Sequence, residues 1–92
     1  MQQKNSKEAK IVFEILAEVI SDERKKLNKS LRLLADEYDI QKSLLSRIEN
    51  AKNEPKLLSI LTICEALGLK PSELFKKFED KLPKDSSLID NR

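Results

Sequence analysis

"SLRLLADEYDIQKSLLSRIEN", residues 30–50, decides the architecture of this chain. It contains neither glycine nor proline, yet it reads as two helices and not one. Ser30 is a good N-cap, because its hydroxyl can accept from an amide of the first helical turn. Residues 31–38 follow as a helix with Leu34, Ala35 and Tyr38 inward. A second helix starts near Gln41 and ends near Asn50, anchored by Leu45 and Ile48. The corner falls at Asp39. A turn this sharp wants a residue with positive φ, and Asp enters that region at lower cost than most side chains. The adjacent leucines divide the labour. Leu45 enters the core, while Leu44 turns outward, either to the exposed face or to pack beside a neighbour such as Leu31.

Two short helices joined by a corner of about three residues describe a helix-turn-helix. The mechanical demands of that unit can be tested along residues 31–50. The fourth position, Leu34, must enter the core. The fifth, Ala35, must be small where the helices cross. The eighth and tenth, Tyr38 and Ile40, flank the turn, and the fifteenth and eighteenth, Leu45 and Ile48, anchor the second helix. All six have the required type. The ninth, usually glycine, is Asp39.

Outward from this unit the pattern stays helical. Ile11, Ile15 and Val19 recur at four-residue steps, as do Val12, Leu16 and Ile20, which predicts a first helix from about Ser6 to Leu27. Asn28-Lys29 ends it. "NAKNEP" is loop chemistry, and Pro55 suits the first turn of the next helix, about 56–67, with Leu57, Ile60, Leu61, Cys64 and Leu67 inward. Gly68 closes it. "KPSEL" opens a fifth helix carrying Leu74, Phe75, Phe78 and Leu82. Residues 1–82 thus form one domain, and 83–92, "PKDSSLIDNR", a flexible tail.

The totals exclude several classes. One glycine, three prolines and 37% charged residues in 92 leave little for hairpins and favour an all-α protein. A single cysteine and no histidine forbid a disulfide within the chain, a Cys/His zinc site and histidine acid–base catalysis. No cofactor, metal or enzymatic activity is expected. No stretch has the length of a membrane span and no apolar block opens the chain, so a soluble, cytoplasmic protein is expected. The net charge of +2 hides an asymmetry. Residues 8–23 hold one basic and five acidic side chains, and residues 24–56 nine basic against five acidic. A polyanion would orient such a molecule.

With these residues in place, segment 30–75 resembles the Cro/C1-type helix-turn-helix family, the lambda-repressor-like (XRE) DNA-binding domain. The family's "LA" pair, "SxxSRIENGKxxP" run and "ALGxxxxELF" ending are matched by Leu34-Ala35, "SLLSRIENAKNEP" and "ALGLKPSELF". The chain departs at Leu31, where the family usually has Gln against a phosphate, and at Ala51, where it has glycine. The resemblance implies a five-helix bundle, here with an extended first helix, whose third helix enters the DNA major groove.

It also implies roles. Gln41, Lys42, Ser43, Leu44 and Arg47 stand where family members touch bases. Lysine and arginine can donate to guanine, serine to several bases, and leucine can meet a thymine methyl. Ser30, Arg32, Asn50, Lys52, Asn53 and Lys56 stand where the family grips phosphates. Arg24 and Glu49 resemble a family ion pair tying the first helix to the third. Phe75, Phe78 and Leu82 are either the edge of the core or a dimer patch. One small module buries little surface, so a homodimer on a two-fold-symmetric operator is expected. The expected function is a transcriptional regulator of double-stranded DNA, most simply a repressor. The alternative is an antitoxin, in which a terminal segment also grips a toxin.

Overall fold

The computed structural model describes residues 6–52 and 54–89. Among them are five helices: α1 (Ser6–Lys26), α2 (Leu31–Glu37), α3 (Lys42–Glu49), α4 (Leu57–Leu67) and α5 (Pro71–Lys81). No helix is long and apolar enough to cross a membrane. The five-helix, all-α architecture expected from the sequence is present, with a long α1 and the α2–α3 corner as its centre.

The core draws on every helix. Val19 and Ile20 of α1, Leu34 of α2, Leu45 of α3, Ile63 and Cys64 of α4 and Leu74 of α5 are essentially inaccessible to water. Ala35 is buried where α2 and α3 cross, as its small size allows. Burying such aliphatic side chains is worth about 1.5–3 kcal/mol each. α1 lies between two partners. Ala17, Ser21 and Arg24 share the face toward α3, whereas Val12, Val19 and Lys26, seven residues apart, share the opposite face toward α5. The apolar stripe of α1 is therefore split. Its second half is core, while Ile11, Val12, Phe13 and Ile15 are only half-buried.

The first four helices stop in the same way. Asn28, Asp39, Ala51 and Gly68 each have φ between 53° and 72°, and each falls one or two residues after the last helical residue. After α2, the Ile40 amide donates back to the Ala35 carbonyl (2.9 Å). After α3, Lys52 donates to Arg47 (3.1 Å), and after α4, Leu69 to Cys64 (2.9 Å). These six-to-one bonds satisfy carbonyls that a helix end leaves open. Asp39 thus makes the corner by ending α2 in left-handed geometry. α5 ends differently: Leu82 is extended (φ −71°, ψ 132°), as a residue before proline must be.

Three inward assignments need correction. Tyr38 is 47% exposed, because it is the cap of α2 and its backbone has left helical geometry (φ −115°, ψ 12°). Its ring instead lies under the Lys29 ammonium, 5.7 Å from the centroid. Leu57 is exposed and Leu61 half-buried. The buried face of α4 is centred on Ile60, Ile63 and Leu67, so it is rotated away from them. Residues 83–89, expected as part of a flexible tail, turn back on α1, where Ser86 Oγ donates to Glu8 Oε2 at 2.8 Å.

Candidate nucleic-acid interface

α3 has two faces of opposite chemistry. Leu45 and Ile48 fix its inner side, while Lys42, Ser43 and Arg47 are exposed on the outer one. Gln41, extended at φ −64° and ψ 125°, is the exposed N-cap, and its side chain caps no amide. The positive end of the helix dipole and the donors of the first turn therefore open to solvent together.

Leu44 lies between the two alternatives, outward and packed. It is half-buried against the core cluster, and shares a cleft with Leu58, Ser59 and Thr62 of α4. Asp39, Ile40 and Gln41 line the same cleft from the corner side.

The orientation of α3 is held by Arg24. Its Nε donates to Glu49 Oε2 at 2.8 Å and its Nη2 to Oε1 at 3.0 Å, a fork onto both carboxylate oxygens. Its Nη1 donates to the Lys29 carbonyl at 2.7 Å. The two side chains are only 12% and 7% exposed. One guanidinium thus ties the end of α1 to the last turn of α3 and to the segment that starts α2. The hydrogen bond to Glu49 raises the Arg24 pKa, opposed by burial, so the guanidinium stays charged at any physiological pH. The bond to Lys29 was not visible in the sequence, since a backbone acceptor leaves no side-chain signature.

The residues placed at phosphate positions fall into separate groups. Ser30 accepts from the Leu33 amide through its hydroxyl (3.1 Å) and is a helix cap. Arg32 is exposed on the first turn of α2. Asn50 caps α3, its carboxamide nitrogen donating to the carbonyl and hydroxyl of Ser46 at 2.8 and 3.3 Å. Lys52 is exposed just beyond it. Lys56 is the exposed N-cap of α4 and lines one cleft with Arg47, Leu44 and Pro55. α3 and the start of α4 thus bring Arg47 and Lys56 onto one surface. Asn53 lies outside the described residues.

Of the dimer candidates, Phe75 is 41% exposed and meets Phe78 edge-to-face, with centroids 6.1 Å apart and planes at 80°. Phe78 and Leu82 are half-buried, Phe78 against the core.

A corner set by a left-handed residue, an anchored second helix and an open polar face define a helix-turn-helix domain. A helix-turn-helix family model matches residues 20–74, more than half of the sequence, and the chain belongs to that family, of the XRE, Cro/C1-type DNA-binding class. No curated protein matches. Among solved structures, it is similar to the clp gene regulator ClgR from C. glutamicum, at 21% identity and a TM-score of 0.69, covering 78% of this chain and 92% of that one. It is also similar to a point mutant of the restriction-modification controller protein C.Esp1396I, at 18% identity and a TM-score of 0.72, covering 80% and 94%. At these identities the likeness shows a shared fold.

Proposed function

We propose that the chain is a sequence-specific transcriptional regulator, a homodimeric repressor that reads the major groove of double-stranded DNA with the helix at residues 41–50. The observation that carries this reading is the open face of α3. Gln41, Lys42, Ser43 and Arg47 stand exposed on a helix whose other face is locked into the core and whose tilt is held by Arg24. Donors on a rigid helix can discriminate base edges, whereas donors on a loose loop would lose that discrimination to ordering entropy.

The work divides by residue. The basic stretch from Arg24 to Lys56 draws the domain to the polyanion. Arg32, Lys52 and Lys56 neutralise phosphates and set the register, without reading sequence. Arg47 forks onto guanine O6 and N7, and Lys42, Ser43 and Gln41 read neighbouring edges. A second copy doubles the contact surface and brings a second half-site, and repression follows when the occupied operator overlaps a promoter.

Selection from random duplex DNA tests this directly. The expected product is an inverted repeat with a defined half-site spacing. Recovery of no preferred sequence, with binding insensitive to salt, would reject the reading.

A further inference from the structure

α2 reaches the corner with its charges reversed. It has seven residues, too few to hold a helix alone, and its last turn carries no basic side chain. Asp36 and Glu37 lie there instead, with Asp39 just beyond, where the backbone carbonyls already make the helix end negative. A cation from outside the helix compensates. Lys29, which precedes the N-cap Ser30, spans α2 to its far end. Its Nζ lies 2.8 Å from Glu37 Oε1 and 5.7 Å from the centroid of the Tyr38 ring. Glu37 and Tyr38 are the last two residues before Asp39 turns the chain.

The backbone of Lys29 is engaged as well. Its carbonyl accepts from Arg24 Nη1 at 2.7 Å, and the same guanidinium forks onto Glu49 in the last turn of α3. Contacts from Lys29 therefore reach α3 at both ends. One route runs through Arg24 to its last turn. The other runs through Glu37 and Tyr38 to the corner, where Asp39, Ile40 and Gln41 alone separate Tyr38 from Lys42.

We propose that Lys29 is a positioning residue for DNA reading, closing a ring of contacts through Arg24, Glu49, α3, the corner, Glu37 and Tyr38. The ring fixes the angle at which Lys42, Ser43 and Arg47 meet the bases. This rests on the DNA-reading role of α3 and adds a residue that touches no DNA. A lysine in a basic stretch would ordinarily neutralise a phosphate. Here the ammonium is held by a carboxylate and an aromatic face together, and moving it to a phosphate would leave Glu37 unpaired at a negative helix end.

The test compares the wild type with Lys29→Gln and Glu37→Gln. Affinity is measured on the selected site and on random duplex of the same length, over a range of salt, with circular dichroism and melting to check the fold. Both variants should lower the ratio of selected-site to random affinity about threefold to fivefold. Lys29→Gln should leave the salt slope as it is in the wild type. Lys29→Arg keeps the charge and the contact with the ring, and should keep the wild-type ratio. A phosphate contact predicts different signs. Lys29→Gln would then weaken both DNAs alike and reduce the salt slope by about one per copy, and Glu37→Gln, by freeing the ammonium, would tighten both. That result overturns the proposal, as does a lower Tm with the affinity ratio unchanged. A wild type that prefers no sequence overturns the DNA reading as well, and it shows this before any variant is compared.

Discussion

At Ala51 a methyl-bearing residue holds φ at 56°, where Cβ meets the neighbouring carbonyl. Glycine would remove that strain, so Ala51→Gly should stabilise the fold by about 1 kcal/mol, seen as a rise in Tm of about 4–8 °C. A fall in Tm would mean that the methyl packs usefully. Gly68→Ala is the converse. A Cβ there meets nothing within 4 Å, so the cost is backbone strain alone, again about 1 kcal/mol. Arg47 makes the sharpest residue-scale prediction about binding. Arg47→Ala should cost about 1–3 kcal/mol on the preferred site and relax preference at one position. Lys56→Ala should weaken all sequences alike. Equal losses on all sequences for Arg47→Ala would make it a phosphate contact. At this scale the sequence was legible where chemistry is local: Asp39 as the corner, Ser30 as a cap. It was less so at Tyr38 and Leu44. Whether these are covered depends on where a helix stops and on how closely α4 approaches α3, and neither is encoded by spacing within one element.

The elements are held to one another by few polar contacts, and these make separable tests. Glu49→Ala would strand the Arg24 guanidinium without its fork, at a cost of about 3 kcal/mol, or about 15 °C in Tm. Arg24→Lys keeps the charge but loses the planar fork, and it should lower affinity for the preferred site more than affinity for random DNA. Equal effects on both would show that the tilt of α3 does not matter. α5 is joined to α1 through Lys81, which reaches Glu18 at 2.8 Å and Asp22 at 3.9 Å. The hydrogen bond that Lys81 donates to Glu18 raises the Lys81 pKa above the usual 10.5. Since the folded value is the higher one, this contribution is complete below the unfolded pKa and is lost as pH rises through the folded one. Melting measured from pH 9 to 12 should therefore show an alkaline loss that Lys81→Gln reduces. An identical profile for the variant would show that the pair contributes nothing. The helices themselves were legible in their apolar periodicity, but the pairing of α1 with α5 and the tail was not. Amphipathic helices with charged flanks can pack in several orders, and the partner face is chosen by the whole core.

Over the whole molecule, charge distribution sets how binding responds to salt. If Arg32, Lys52 and Lys56 of both copies neutralise phosphates, the logarithm of affinity should fall with the logarithm of salt at a slope of about −5. Between 50 and 200 mM salt that is a loss of about a thousandfold. A flat response would remove DNA as the ligand. The part of the family fold from α2 onward could be read from residues 30–75, because its motifs fix both corner and core, and α1 from its own apolar periodicity. The return of the tail onto α1 could not, since Ser86 and Glu8 are 78 positions apart and only the tertiary structure brings them together. One core residue also offers a clock. Cys64 is the only thiol, fully buried, and its surroundings push its pKa up. A thiol reagent reaches it only when the bundle opens. Alkylation rates at Cys64 would thus count openings of the native state one molecule at a time, without any label or mutation, and would slow in proportion as operator DNA holds the domain closed.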